Sequence, residues 1–150
     1  MSEIIEINSG LNSVLLIERI TAFDPGEIRG VFTFDGKSVF MLIEAMAQLG
    51  AFHVRRLDGF QRHAFLMKVG KCVLPDPLPE EGSMELQGEL NGRSDRSFVY
   101  HMQMGRQGQT AMRGDFWFST VDYDERFEGE MLQRHYERVF SCLTSASGIA

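Results

Sequence analysis

Cysteine is scarce. Cys72 and Cys142 stand far apart among 150 residues and form no ligand spacing, so neither a disulfide framework nor a zinc motif can be drawn from them. No metal ion and no cofactor is expected. The longest apolar stretch, Phe40 to Val54, is broken by Glu44, Gln48 and His53. It falls short of the roughly 18 uninterrupted residues a membrane helix needs. Basic charge is in deficit: 15 Lys and Arg face 21 Asp and Glu, for a net charge of -6. That balance argues against nucleic acid as a partner. The opening MSEIIEINSG is acidic where a secretory signal would be basic, and it lacks an apolar core. The expectation is a reduced, cytoplasmic protein without membrane contact.

What is present centres on Ser38 to Leu57, SVFMLIEAMAQLGAFHVRRL. Helix formers dominate this stretch and proline is absent from it. A helix apolar on nearly every side has to be wrapped by protein. Glu44 and Gln48 lie one turn apart, on one face of it. A carboxylate in such surroundings is costly unless hydrogen-bonded, protonated or useful, and desolvation predicts a raised pKa for Glu44. Arg55 and Arg56 close the helix, with Arg62, Lys68 and Lys71 beyond. They read as cations suited to the helix dipole, or as a docking patch for a phosphate-bearing carrier.

Around this helix the chain reads as strands. Ser13 to Phe23 is β-branched and aliphatic, stops at Asp24-Pro25-Gly26-Glu27, and pairs with Ile28 to Phe34 as a hairpin. Ser38 is the expected N-cap and Asp58-Gly59 the helix end. His63 to Leu74 is a strand candidate that ends in a proline-rich turn. Three further strands, Ser83 to Leu90, Ser97 to Met104 and Thr110 to Val121, alternate in polarity. Trp117 between Phe116 and Phe118 suggests a sheet covered on both sides. Asp124 to Leu143 carries Phe127, Met131, Leu132, His135, Val139 and Cys142 near helical spacing, and the tail from Thr144 onward is expected to fray. Residues 1–150 thus form one α+β domain. Its core, about 11–121, is a curved antiparallel sheet wrapped around one long central helix. A C-terminal helix, about 124–143, packs on the outside or on a partner.

This order, and the residues in it, resemble the hotdog fold and its 3-hydroxyacyl-ACP dehydratase branch. The resemblance rests on Leu15 to Ile20 with Asp24-Pro25-Gly26, on Met41-Leu42-Ile43-Glu44-Ala45-Met46-Ala47-Gln48, and on Val69 to Gly82. It implies an acyl thioester on an acyl carrier protein or coenzyme A as ligand, in fatty acid or polyketide-type biosynthesis. It also implies a homodimer or higher even oligomer with sites at the subunit boundary. In those dehydratases a Gly-His-Phe-Pro loop supplies the base and the helix glutamate the acid. Here Gly30-Val31-Phe32 looks like what remains of the loop, with Val31 in place of histidine, and no histidine precedes His53. Glu44 and Gln48 match position for position.

Several chemistries remain open on that basis. Dehydration needs a base as well as an acid; His53 lies too far along the same helix, and His63 and His101 would reach the site only through an unusual dimer. A thioesterase or an isomerase needs only one carboxylate. Glu44 would then be catalytic, Gln48 would orient water or the carboxylate, and Val39 and Phe40, which open the helix, would meet the substrate carbonyl. The remaining readings are non-catalytic. In one, Glu44 and Gln48 hydrogen-bond a backbone or a subunit partner. In the other, the chain completes a heterodimer with a histidine-bearing hotdog subunit.

Overall fold

Turn chemistry sets the first hairpin. In the computed structural model, which describes residues 6–8, 12–123 and 129–145, the Asp24 carboxylate accepts from the Gly26 N–H at 2.8 Å. This joins β3 (Arg19–Asp24) to β4 (Glu27–Phe34). A short pair, β1 (Glu6–Asn8) and β2 (Asn12–Val14), comes before them. The single strand expected over Ser13 to Phe23 is therefore interrupted at residues 15–18, whose backbone groups find other partners. The N-terminal turn through Ser9 and Gly10, Phe127 and the tail beyond Ser145 lie outside the described residues.

Ser38 caps the helix as anticipated: its Oγ accepts from the Phe40 N–H at 3.2 Å, and α1 runs Val39–Leu57. Four strands follow, β5 (His63–Val73), β6 (Gly82–Arg93), β7 (Ser97–Arg106) and β8 (Gln109–Val121). They join the hairpin in one antiparallel six-stranded sheet of order β3-β4-β6-β7-β8-β5. The predicted alternation fixes the faces. Met84, Leu86, Phe98, Tyr100, Met102, Met112, Phe116 and Phe118 are all buried on the side that α1 crosses. Trp117 points to the opposite face, with the Lys68 ammonium 4.5 Å from its ring; among the described residues no second layer of helix or strand covers it, contrary to the expectation.

Helix and sheet meet closely because glycines leave room. A Cβ on Gly50 would lie 2.5 Å from Cζ of Phe118, and that ring is wedged edge-on against Tyr100 at 5.5 Å. Gly50→Ala gains about 1 kcal/mol of helix propensity but overpacks the core by about 1–3 kcal/mol. A net loss of stability is expected in urea unfolding, and Phe118→Leu in the same chain should recover part of it.

The predicted start of the second helix, at Asp124, lies outside the described residues, and α2 is described over Gly129–Ser145. It buries Leu132, Tyr136, Val139, Phe140 and Leu143 against its own chain, while Met131 is 52% exposed and Cys142 is exposed. The predicted stripe was rotated because Tyr136 and Phe140 anchor it: Phe140 meets Phe23 and Phe60 edge-on, with centroids at 5.7 and 5.8 Å. Among the described residues no helix is long and apolar enough to cross a membrane.

Candidate functional site

The two halves of α1 differ in their surroundings. From Leu49 to Arg55 every residue is buried, because the sheet packs below and α2 alongside. In the first half Leu42, Ala45 and Met46 face the sheet, while Glu44, on the opposite side, is exposed. The desolvated carboxyl expected from the sequence is thus not what the chain alone provides. Apolar neighbours in sequence bury a helix position only if something packs on its outer face, and among the described residues nothing covers this one.

The carboxylate is nevertheless held. Backbone N–H of Leu16 donates to Gln48 Oε1 at 2.8 Å, and Gln48 Nε2 donates to Glu44 Oε1 at 3.2 Å. The interruption between β2 and β3 frees the Leu16 amide for this use. Glu44 and Gln48 line a cleft of about 160 Å3 between α1 and β5. Its walls are Leu15, Ala47, Ala51, Phe52, Leu66 and Phe118, and Arg55, His63 and Tyr136 also reach it. Val39 and Phe40 do not join it. The Phe40 ring is 76% exposed, and its amide is engaged by the Ser38 cap.

Two further expectations are corrected. Val31 lies within β4, opposite Arg19 of β3 and Glu85 of β6, on the face away from α1. It is not a loop residue beside the helix. Arg55 is not a solvated helix-end cation but only 8% exposed. Its Nη2 donates to the Ala64 carbonyl at 3.1 Å, and its guanidinium stacks 3.9 Å from the centre of the Tyr136 ring.

The histidines divide by role. His53 is a strut: its Nε2–H donates to the Asp24 carbonyl at 2.8 Å, and Nδ1 accepts from the Tyr100 hydroxyl. Burial lowers its pKa. His101 pairs with Asp115 at 3.2 Å on the outer face. His63 was missed as a site residue because its place depends on strand register rather than spacing. It is 5% exposed, and burial first, then the Arg55 charge, pull its pKa down to about 4.

A pH dependence follows. The unfolded chain protonates His63 near pH 6.5 and the folded chain only near 4, so unfolding takes up a proton between these values. Stability is fully present above 6.5 and is lost as pH falls toward 4. His53 adds a loss of the same sign. Unfolding free energies at pH 7.5 and 4.5 are expected to show His63→Gln relieved of about 2–3 kcal/mol of the acid-induced loss.

A larger depression, about 440 Å3, lies on the other face of the sheet and is lined by Arg19, Arg29, Glu85, Gln87, Gln103 and Arg106. Gln103 donates to Gln87 within it at 2.8 Å, Arg106 donates to the Glu80 carbonyl at 2.8 Å, and it contains neither Glu44 nor a histidine. Among the described residues no cluster of His, Cys, Asp and Glu is placed to hold a metal ion.

Comparison with solved structures places this architecture in the hotdog fold. A mutant of thioesterase PA1618 from Pseudomonas aeruginosa superposes with a TM-score of 0.59 at 15% identity, covering 71% of this chain and 82% of that one. The dehydratase heterocomplex ApeI:P from Xenorhabdus doucetiae gives a TM-score of 0.60 at 12% identity, over 78% and 88% of the two chains. The PaaI protein of E. coli, from the phenylacetic acid degradation operon, gives 0.58 at 11%, over 68% and 78%. At such identities the likeness establishes the fold alone. No protein-family model matches the sequence, and no curated protein matches it by sequence.

Proposed function

We propose that this protein hydrolyses acyl thioesters carried on coenzyme A or an acyl carrier protein, as a dimer, with Glu44 as the base. One observation carries the reading: the hydrogen-bonded line from the Leu16 amide through Gln48 to Glu44 fixes a carboxylate at the open end of an apolar cleft. In the proposed reaction, Glu44 takes a proton from water as the oxygen bonds to the thioester carbon. The C–S bond then breaks, and the departing thiolate takes that proton back as free thiol. Val39 and Phe40, at the start of α1, border the path by which the thioester enters.

Hydrolysis is preferred to dehydration on the strength of the bases available. Dehydration needs a base near the working pH beside the acid, and burial together with the Arg55 charge lowers the basicity of the histidine in the cleft. A single carboxylate suffices for hydrolysis.

The dimer is supported by what the single chain leaves open. A cleft of about 160 Å3 is below the roughly 300–1,000 Å3 of small-molecule pockets. One of its walls, β5, is an edge strand with an unpaired ladder, on which Met67 is 59% and Val73 57% exposed beside the exposed Lys68 and Lys71. Pairing there would extend the sheet, enclose the first half of α1 and desolvate Glu44. Both cysteines are free, which suits the reduced cytoplasm.

The test follows free thiol from saturated acyl-CoA and water loss from 3-hydroxyacyl-CoA. Thiol release without water loss is expected; water loss by the chain alone would overturn the assignment. A non-catalytic role beside a histidine-bearing hotdog subunit is the second reading, supported by the dehydratase heterocomplex among the structural neighbours. It is distinguished by water loss appearing only when such a partner is added.

A further inference from the structure

Arg55 poses a problem that the hydrolytic reading does not use. It is 8% exposed, and a guanidinium does not give up its proton in a protein. Of its five N–H donors, Nη2 bonds the Ala64 carbonyl, and Nε is buried with no hydrogen-bond partner. Among the described residues no carboxylate forms an ion pair with it; the Tyr136 ring centre lies 3.9 Å from its guanidinium, and its charge is felt at His63. A buried cation left without a counter-charge costs several kcal/mol. The stack on Tyr136, 3.9 Å from its ring centre, offsets only part of this.

The same side chain lines the cleft. Glu44 stands at its exposed end and Arg55 at its buried end, eleven residues along the helix, about 16 Å by the helical rise. Between them Ala47 and Ala51 face Leu66 and Phe118, with no charge on either wall. We propose that the cleft selects acyl groups ending in an anion, ω-carboxyacyl thioesters, with the distal carboxylate forked onto Arg55 and the methylene chain along Ala47 and Ala51. The direction of the chain rests on reading Glu44 as the hydrolytic end. A phosphate of the carrier is disfavoured, because it lies on the far side of the thioester from the acyl tail, toward solvent.

The experiment measures binding without turnover. Calorimetric Kd values for hexanoyl-CoA and adipyl-CoA, octanoyl-CoA and suberyl-CoA, and coenzyme A alone are taken on Glu44→Gln and on Glu44→Gln/Arg55→Met. In the Arg55-bearing protein at least one diacid thioester is expected to bind tenfold or more tightly than its monoacid of equal length. Arg55→Met should erase the difference while leaving coenzyme A unchanged. Replacing a buried charge that has no ion pair among the described residues by an apolar side chain of similar length should leave the fold at least as stable. If that variant does not fold, the comparison within each length pair still decides. Equal affinities in both pairs overturn the inference. So does a loss of coenzyme A affinity in Arg55→Met as large as that of the diacids, which would assign Arg55 to the carrier phosphates. Because no step is catalytic, a failure of Glu44 as base leaves this result intact, and equal affinities leave the hydrolytic reading intact.

Discussion

Glu44→Gln is expected to lower kcat for acyl-CoA hydrolysis by about 100- to 10,000-fold, the range over which a positioned acid–base group contributes. The substitution keeps the length of the side chain and its ability to hydrogen-bond Gln48, 3.2 Å away, so the line from the Leu16 amide survives. What it removes is the capacity to accept a proton from water. KM should change little, since in the proposed arrangement the acyl chain lies against Ala47 and Ala51 rather than against the carboxylate. Stability should also hold, because Glu44 is exposed and its replacement opens no cavity. A tenfold or smaller change in kcat, read by thiol release, would mean that Glu44 is a bystander.

The second large effect concerns the edge of the sheet. Placing carboxylates on β5 with Met67→Asp and Val73→Asp should convert the proposed dimer to monomers, with at least a thousandfold rise in its dissociation constant. Both side chains are more than half exposed in the single chain, so the substitutions cost the fold itself little. Two facing copies of the strand, however, would have to bury those carboxylates where apolar side chains would otherwise meet, a desolvation cost that the exposed Lys68 and Lys71 offset only in part. Thioester hydrolysis should fall with dimerisation, by tenfold or more, as each cleft loses its second wall. Sedimentation equilibrium run beside the thiol assay reads both quantities. A variant that stays dimeric, or a monomer that retains full activity, would separate the site from this edge.

Much of the architecture was legible because it rests on local patterns. The alternation over β6, β7 and β8 named the sheet face that is buried, and Ser38 and Asp58-Gly59 bounded α1 through cap and turn chemistry. The site was legible in part. Glu44 and Gln48 stand one turn apart, and the hydrogen bond between them is a local consequence of helix geometry. The exposure of Glu44 was not legible, because it depends on what packs against the outer face of α1 and not on the residues beside it in sequence. Val31 had two readings, a strand residue by the alternation of Ile28 to Phe34 and a loop remnant by resemblance; its pairing with Arg19 and Glu85 upholds the first and removes the second. The meeting of His63, Arg55 and Tyr136 requires the register of β5 on β8 and the docking of α2, neither of which any spacing encodes.

The central claim is that an activated acyl chain lies along α1 with its thioester at Glu44. A crystal structure of Glu44→Gln with octanoyl-CoA tests it most directly. The account predicts the thioester carbonyl carbon within about 3.5–4 Å of a water held by the side chain at position 44, near-attack separation for that step, and the tail beside Ala47 and Ala51. Acyl density on the opposite face of the sheet, among Arg19, Arg29 and Arg106, or an empty cleft at saturating ligand, would contradict it.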